Sequence, residues 1–207
     1  MHIRMIDMGS YVETAIEDSI KAFMNNDLAL CRTIIENDKN VDIMEKEMES
    51  KCLWLIARQQ PIASDLRKIT AALMILTDME RIGDHAADIA EISMRISDRN
   101  TFTDSSRIPQ MAAAAIEMVH NAVTAYVNYD VELAEATRKK DDVVDDYFNT
   151  IKHDLVEVFK TQPHNLDNAI DLLLVVKYLE RIGDHAVNIC DWVCFSKTGK
   201  HKDTLVF

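Results

Sequence analysis

The sequence predicts an all-α protein made of two pseudo-symmetric three-helix bundles, six long helices produced by an internal repeat. Three observations predict it. Glycine and proline number only 4 and 3 in 207 residues, while Ala, Leu, Met, Glu, Lys and Asp are plentiful, a profile that favours long helices. Apolar residues recur at three- and four-residue steps through most of the chain, so each helix carries a stripe that must be buried against others. The stretch 80-ERIGDHAADIAE-91 returns as 180-ERIGDHAVNICD-191, its first seven residues identical, which marks a duplication.

The first helix is expected over about 6–25, closed by Asn25-Asn26-Asp27. The second runs over about 27–58 and stops before Pro61, which cannot continue a helix. The third covers about 63–98. The stretch 98-DRNTFTDSSR-107 is the one polar, irregular segment long enough for a linker. It divides the chain into a first repeat, 1–100, and a second, 101–207. Ser105, Ser106 and Pro109 are start signals for a fourth helix over about 107–128. A fifth follows over about 130–160 and a sixth over about 165–196.

The repeat extends beyond this identical block. Asp38, Val41 and Asp42 match Asp141, Val144 and Asp145 at an offset of 103, and Phe23, Asp27 and Leu30 match Tyr126, Asp130 and Leu133. The offset falls to 100 by Glu80. The three residues lost fall in a loop, Gln59-Gln60-Pro61 in one half and Thr161-Gln162-Pro163 in the other.

Net charge is −12, from 35 acidic and 23 basic residues, with no basic patch. That argues against nucleic acid as a ligand and favours cations or a basic partner. Cys31, Cys52, Cys190 and Cys194 form no CxxC pair, and MHIRMIDMGS lacks an apolar signal core. Runs such as 71-AALMIL-76 are too short to span a bilayer. A reduced, cytoplasmic protein without membrane insertion is expected. The methionines, Trp54 and Trp192 read as core residues, with an interface as the alternative for the tryptophans.

Chemistry concentrates in acidic stripes. Residues four apart share a helix face, so Glu80, Asp84 and Asp88 align, as do Glu180, Asp184 and Asn188. Asp38, Asp42, Glu45 and Glu49 form a row on the second helix. Asp141 and Asp145 form the matching pair, with Phe148 and Lys152 in place of the two glutamates. Like charges at this spacing cost about 0.2–0.5 kcal/mol per pair, and a polyvalent cation reverses that sign. Carboxylates suit hard ions such as Mg²⁺, Mn²⁺, Ca²⁺ or iron. Gly83 and Gly183 lie between the acids in both copies, although mid-helix glycine costs about 1 kcal/mol; a close approach by backbone or ligand is expected there. The competing reading is a solvated face of ion pairs, with Arg81, Arg181, Lys177, Lys39, Lys46 and Arg138 beside the acids. His85 and His185 point away from the acidic face, which favours packing over ligation. Glu117-x-x-His120 has no counterpart for a di-iron site, and nucleotide-binding or nucleophile-elbow motifs are absent from the sequence.

Together 58-RQQPIASDLRKITAALMILTDMERIGDHAADIAE-91 and 178-YLERIGDHAVNICDWV-193 resemble the two signatures of the PhoU family, over about residues 6 to 196. The resemblance implies multinuclear metal sites on E/D-x-x-x-D motifs. Asp38, Asp42, Glu80 and Asp84 would hold metal in the first half, and Asp141, Asp145, Glu180 and Asp184 in the second. The ions would be divalent or trivalent: iron, manganese, magnesium or zinc. It further implies a cytoplasmic, usually dimeric regulator of phosphate uptake and negative regulator of the phosphate-starvation response. Its partners would be the ATPase subunit of the phosphate ABC transporter and a sensor histidine kinase. No enzyme activity is expected. The rival readings are an accessory protein of another phosphate permease and a carboxylate-bridged metal-dependent hydrolase. Asp88, where the family often carries Asn, and Lys152 in place of Glu49 make the first site the more acidic, and it is expected to dominate.

Overall fold

Asp27 and Asp130, matched in the repeat, each open a helix in the same way. The Asp27 carboxylate accepts from the backbone N–H of Ala29 at 3.1 Å and Leu30 at 3.0 Å, and Asp130 accepts from Leu133 N–H at 2.9 Å. Both satisfy donors that a helix N-terminus leaves free. The computed structural model describes residues 2–96, 107–161, 166–202 and 204–205. Ser105, Ser106, Gln162, Pro163 and most of the expected linker lie outside the described residues.

The first half folds as α1 (His2–Asn25), α2 (Leu28–Gln59) and α3 (Ala63–Ser93). Gln60 ends α2 in the left-handed region at φ 47°, its N–H returning to the Ile56 carbonyl. The second half folds as α4 (Arg107–Asn128), α5 (Val131–Arg138), α6 (Asp141–Thr161) and α7 (Leu166–Thr198). The expected all-α double bundle is therefore present, with two corrections: the third helix ends at Ser93 rather than near 98, and the fifth predicted helix is interrupted at Lys139–Lys140. The sequence around the break is R-K-K followed by D-D. Basic groups suit the negative C-terminal end of α5, and acids suit the positive N-terminal end of α6, so ending one helix and starting another is favourable there. After α7 a short antiparallel pair, β1 (Lys200–His201) and β2 (Thr204–Leu205), folds back, and His201 stacks on Trp192 with centroids 4.0 Å apart.

The core does not stop at the repeat boundary. Met5, Met8 and Ile16 of α1, Ile75, Met79 and Ile82 of α3, Met111 and Met118 of α4, and Leu179, Ile182 and Ile189 of α7 belong to one buried cluster. The most extensive packing is between α3 and α7, with α1 and α4 completing the centre. α2 flanks the first half, and α6 the second. Cys31, Cys52 and Cys190 are buried thiols, and Cys194 is half-buried. Trp54 departs from the core reading and has the exposure that the interface alternative allows: it is 54 % exposed on α2, beside Leu53. Among the described residues no helix is long and apolar enough to cross a membrane.

Candidate metal centre

The glycines of the repeated motif let the flanking helices approach. A Cβ on Gly83 would stand 3.2 Å from both methyls of Val41, and one on Gly183 would stand 3.4 Å from a Val144 methyl and 3.2 Å from Asp141 Oδ1. Val41 and Val144 are matched repeat positions, and both are buried. The close approach is thus made by the neighbouring helix, and it carries the acids of α2 and α6 toward those of α3 and α7.

In the first half this brings Asp42 of α2 against Glu80 and Asp84 of α3. One carboxylate oxygen from each lies within 4.8 Å of those of the other two, and all three residues are half-buried. Every carboxyl shift resolved at this cluster is upward. Burial, then Asp84, then Asp42 and Asp88 push Asp38 up to about 6. Burial and then Asp84 raise Glu80; burial, Glu49 and Asp42 raise Glu45. Folding therefore crowds negative charge faster than it supplies cations. The ion-pair reading holds in part: Arg81 meets Asp84 at 3.0 Å and Glu80 at 3.5 Å, and Lys46 meets Asp42 at 3.6 Å. Both cations are mostly exposed, so these pairs are worth little and are readily exchanged. Three converging hard oxygen donors on half-buried residues fit Mg²⁺ or Mn²⁺.

The second half gathers its acids differently. Burial, then Asp145, Asp184 and Glu180 push Asp141 up to about 6, so these four share one neighbourhood. Asp145 and Asp184 are also raised, by burial and then by Glu180. Among the described residues, however, no group of carboxylates here converges as in the first half. Lys177 bonds Glu180 Oε2 and offsets the charge of Asp145 and Asp184. Asp184, unlike Asp84, is exposed.

Between the two clusters the matched histidines meet. His85 of α3 and His185 of α7 have ring centroids 5.3 Å apart, and Tyr178 lies 5.2 Å from His85 on another side. His185 Nδ1 lies 2.9 Å from Asp78 Oδ1, and Asn188 donates to the same oxygen at 3.3 Å. Tyr178 hydrogen-bonds Asp88 across the same interface. Asp88 thus works at two edges, adding charge near Asp38 and accepting from the other half. Asp78 and Tyr178 were not singled out by the sequence; the one available signal was that matched positions 78 and 178 carry different chemistry. His120 is exposed and pairs with Glu13 at 3.2 Å, clear of both clusters.

The duplication is decisive when set beside known proteins: a model of the PhoU domain matches residues 5–93 and again 108–193. The chain belongs to the PhoU family. A Clostridium acetobutylicum protein, a phosphate-specific transport system accessory protein PhoU homolog, is 36% identical over 204 residues, covering 98% of this chain and 93% of the relative. A Thermotoga maritima homolog of the same description is 33% identical over 191 residues, 92% of this chain and 82% of that one. The crystal structure of PhoU from Pseudomonas aeruginosa superposes with a TM-score of 0.89 at 29% identity, covering 95% of each chain. A Streptococcus pneumoniae phosphate transport system regulatory protein PhoU shares the fold, with TM-score 0.90 and 24% identity over 97% of this chain and 95% of that one.

Proposed function

We propose that this PhoU-family chain is an accessory protein of a phosphate-specific transport system. In this reading it acts as a cytoplasmic, metal-binding adaptor that restrains the phosphate-starvation response. It would work by contact, as a homodimer, with the ATPase subunit of the phosphate ABC transporter and a sensor histidine kinase. Support for the transport role comes from relatives of that description matched along nearly the whole chain. Support for a metal comes from one observation above the others: Asp42, Glu80 and Asp84 converge within 4.8 Å although their mutual repulsion opposes it.

Asp42, Glu80 and Asp84 would hold the ion, which would supply positive charge to that cluster and attract a partner's acidic or phosphate oxygen. The chain's own residues do the rest. α2 and α3 fix the three carboxylates, Val41 seats the helices together, and Arg81 and Lys46 pair with the acids through exposed, readily exchanged contacts. A phosphate-starvation reporter in cells lacking the protein tests the role. Reporter activity at high phosphate is expected to rise on deletion, fall on re-expression, and stay high with Asp84→Asn. A reporter indifferent to deletion would remove the regulatory reading.

A further inference from the structure

The two halves differ most where the repeat should make them alike. At matched positions the first half carries Thr77, Glu45 and Glu49, and the second carries Lys177, Phe148 and Lys152. Two carboxylates and a hydroxyl have become a ring and two ammonium groups. The Lys177 ammonium sits on Glu180, whose side chain is only 14% exposed, and lies 5.3 Å from the Phe148 ring centroid. Lys152 lies 5.2 Å from the same ring and donates to Asn149 at 2.9 Å. An ordinary i,i+3 surface pair is weak and mobile. This one has a largely buried acid at one end and an aromatic face beside the ammonium, so its geometry is held.

Arg81 is not the first half's equivalent. It is mostly exposed, pairs with Glu80 and Asp84, and leaves the three carboxylates convergent. Its repeat partner Arg181 acts on His85 and Asp88 of the other half.

We propose that Lys177 is the resident cation of the second acidic cluster, seated where the first half takes a metal ion, so that only the first half responds to metal. This rests on the metal reading above for the first half. The second-half acids are then structural, neutralised from within, and metal status reaches the molecule through α2 and α3.

The test uses the metal-stripped full chain and Mn²⁺, counted from the loss of the free-ion electron paramagnetic resonance signal, with thermal melts in chelator alongside. Wild type should lose most Mn²⁺ binding with Asp84→Asn and little with Asp184→Asn. Lys177→Thr, which installs the first half's residue, should create a second class of Mn²⁺ about tenfold tighter than any residual second-half binding. It should also melt lower in chelator and be restored by Mn²⁺. If Lys177→Thr does not fold, Lys177→Gln carries the same two readouts. The proposal is overturned if Asp184→Asn removes as much Mn²⁺ as Asp84→Asn, or if the Lys177 variants gain no Mn²⁺. A Lys177→Thr gain with no effect of Asp84→Asn would instead sink the first-half metal reading and leave the lysine assignment standing.

Discussion

His85 and His185, a hundred positions apart and matched in the repeat, lie ring against ring at 5.3 Å where α3 packs on α7. Each follows the central aspartate of its motif, so the residues that join the halves are chained directly to the residues that gather charge. His85 is 6% exposed; its Nδ1 lies 3.5 Å from Asp88 Oδ2, yet among the described residues neither ring nitrogen has a hydrogen-bond partner. Burial, then His185 and Arg181, push it down to about 4.

That value sets a sign. Folded His85 stays neutral down to about 4, while the unfolded chain takes up a proton from its ordinary 6.5. Its contribution is therefore full above that ordinary value and falls as pH drops from there toward 4, by about 3 kcal/mol at most. Asp38 and Asp141, both raised to about 6, act oppositely, because the folded state binds their protons more tightly. In chelator, urea titrations between those pH values should show the two effects partly cancelling. His85→Phe should leave only the acidic effect, so stability rises as pH falls. A variant that loses stability on acidification over this window would contradict the assignment.

Glu80→Gln should separate repulsion from binding. Removing one charge from the cluster stabilises the metal-free protein by a few tenths of a kcal/mol. The same change should erase most of the rise in melting temperature that Mn²⁺ gives the wild type. Melting curves with chelator and with Mn²⁺ check both signs; a variant less stable in chelator yet still rescued by Mn²⁺ would go against it.

Gly83 tests the helix approach. Alanine gains about 1 kcal/mol of helix propensity but would press its Cβ to 3.2 Å from both Val41 methyls, and overpacking typically costs about 1–3 kcal/mol. Gly83→Ala should be net destabilising in the wild-type background and stabilising in Val41→Ala. Additive effects in that double-mutant cycle would show that the two side chains do not compete for space.

Asp78→Ala should loosen the contact between halves. His185 and Asn188 both lose their acceptor, and a half-buried network of this kind is expected to cost about 1–3 kcal/mol. Hydrogen exchange should speed up along the facing turns of α3 and α7. Unchanged protection there would rule out a joining role for Asp78.

Much of this was legible in the sequence because periodicity reports on single helices. The stripes, the Asp27 and Asp130 starts, and the alignment of Glu80 with Asp84 all depend on spacing alone. The break at Lys139–Lys140 was also written there, in charges that suit a helix end followed by a helix start, but continuous apolar spacing masked it. What spacing could not supply was which faces of different helices meet. Asp78 with His185, Tyr178 with His85, and Phe148 beside Lys177 are contacts between elements, fixed by the packing of α3 on α7 and α6 on α7. Trp54 was misplaced for a related reason: its apolar character fits a core, yet α2 flanks the bundle and turns that residue outward.

The most direct test is diffraction from crystals grown with Mn²⁺, collected to locate its anomalous signal. The account predicts a peak among Asp42, Glu80 and Asp84, with Arg81 and Lys46 turned away from them. Carboxylates still paired to those two side chains, with no anomalous peak between α2 and α3, would contradict it.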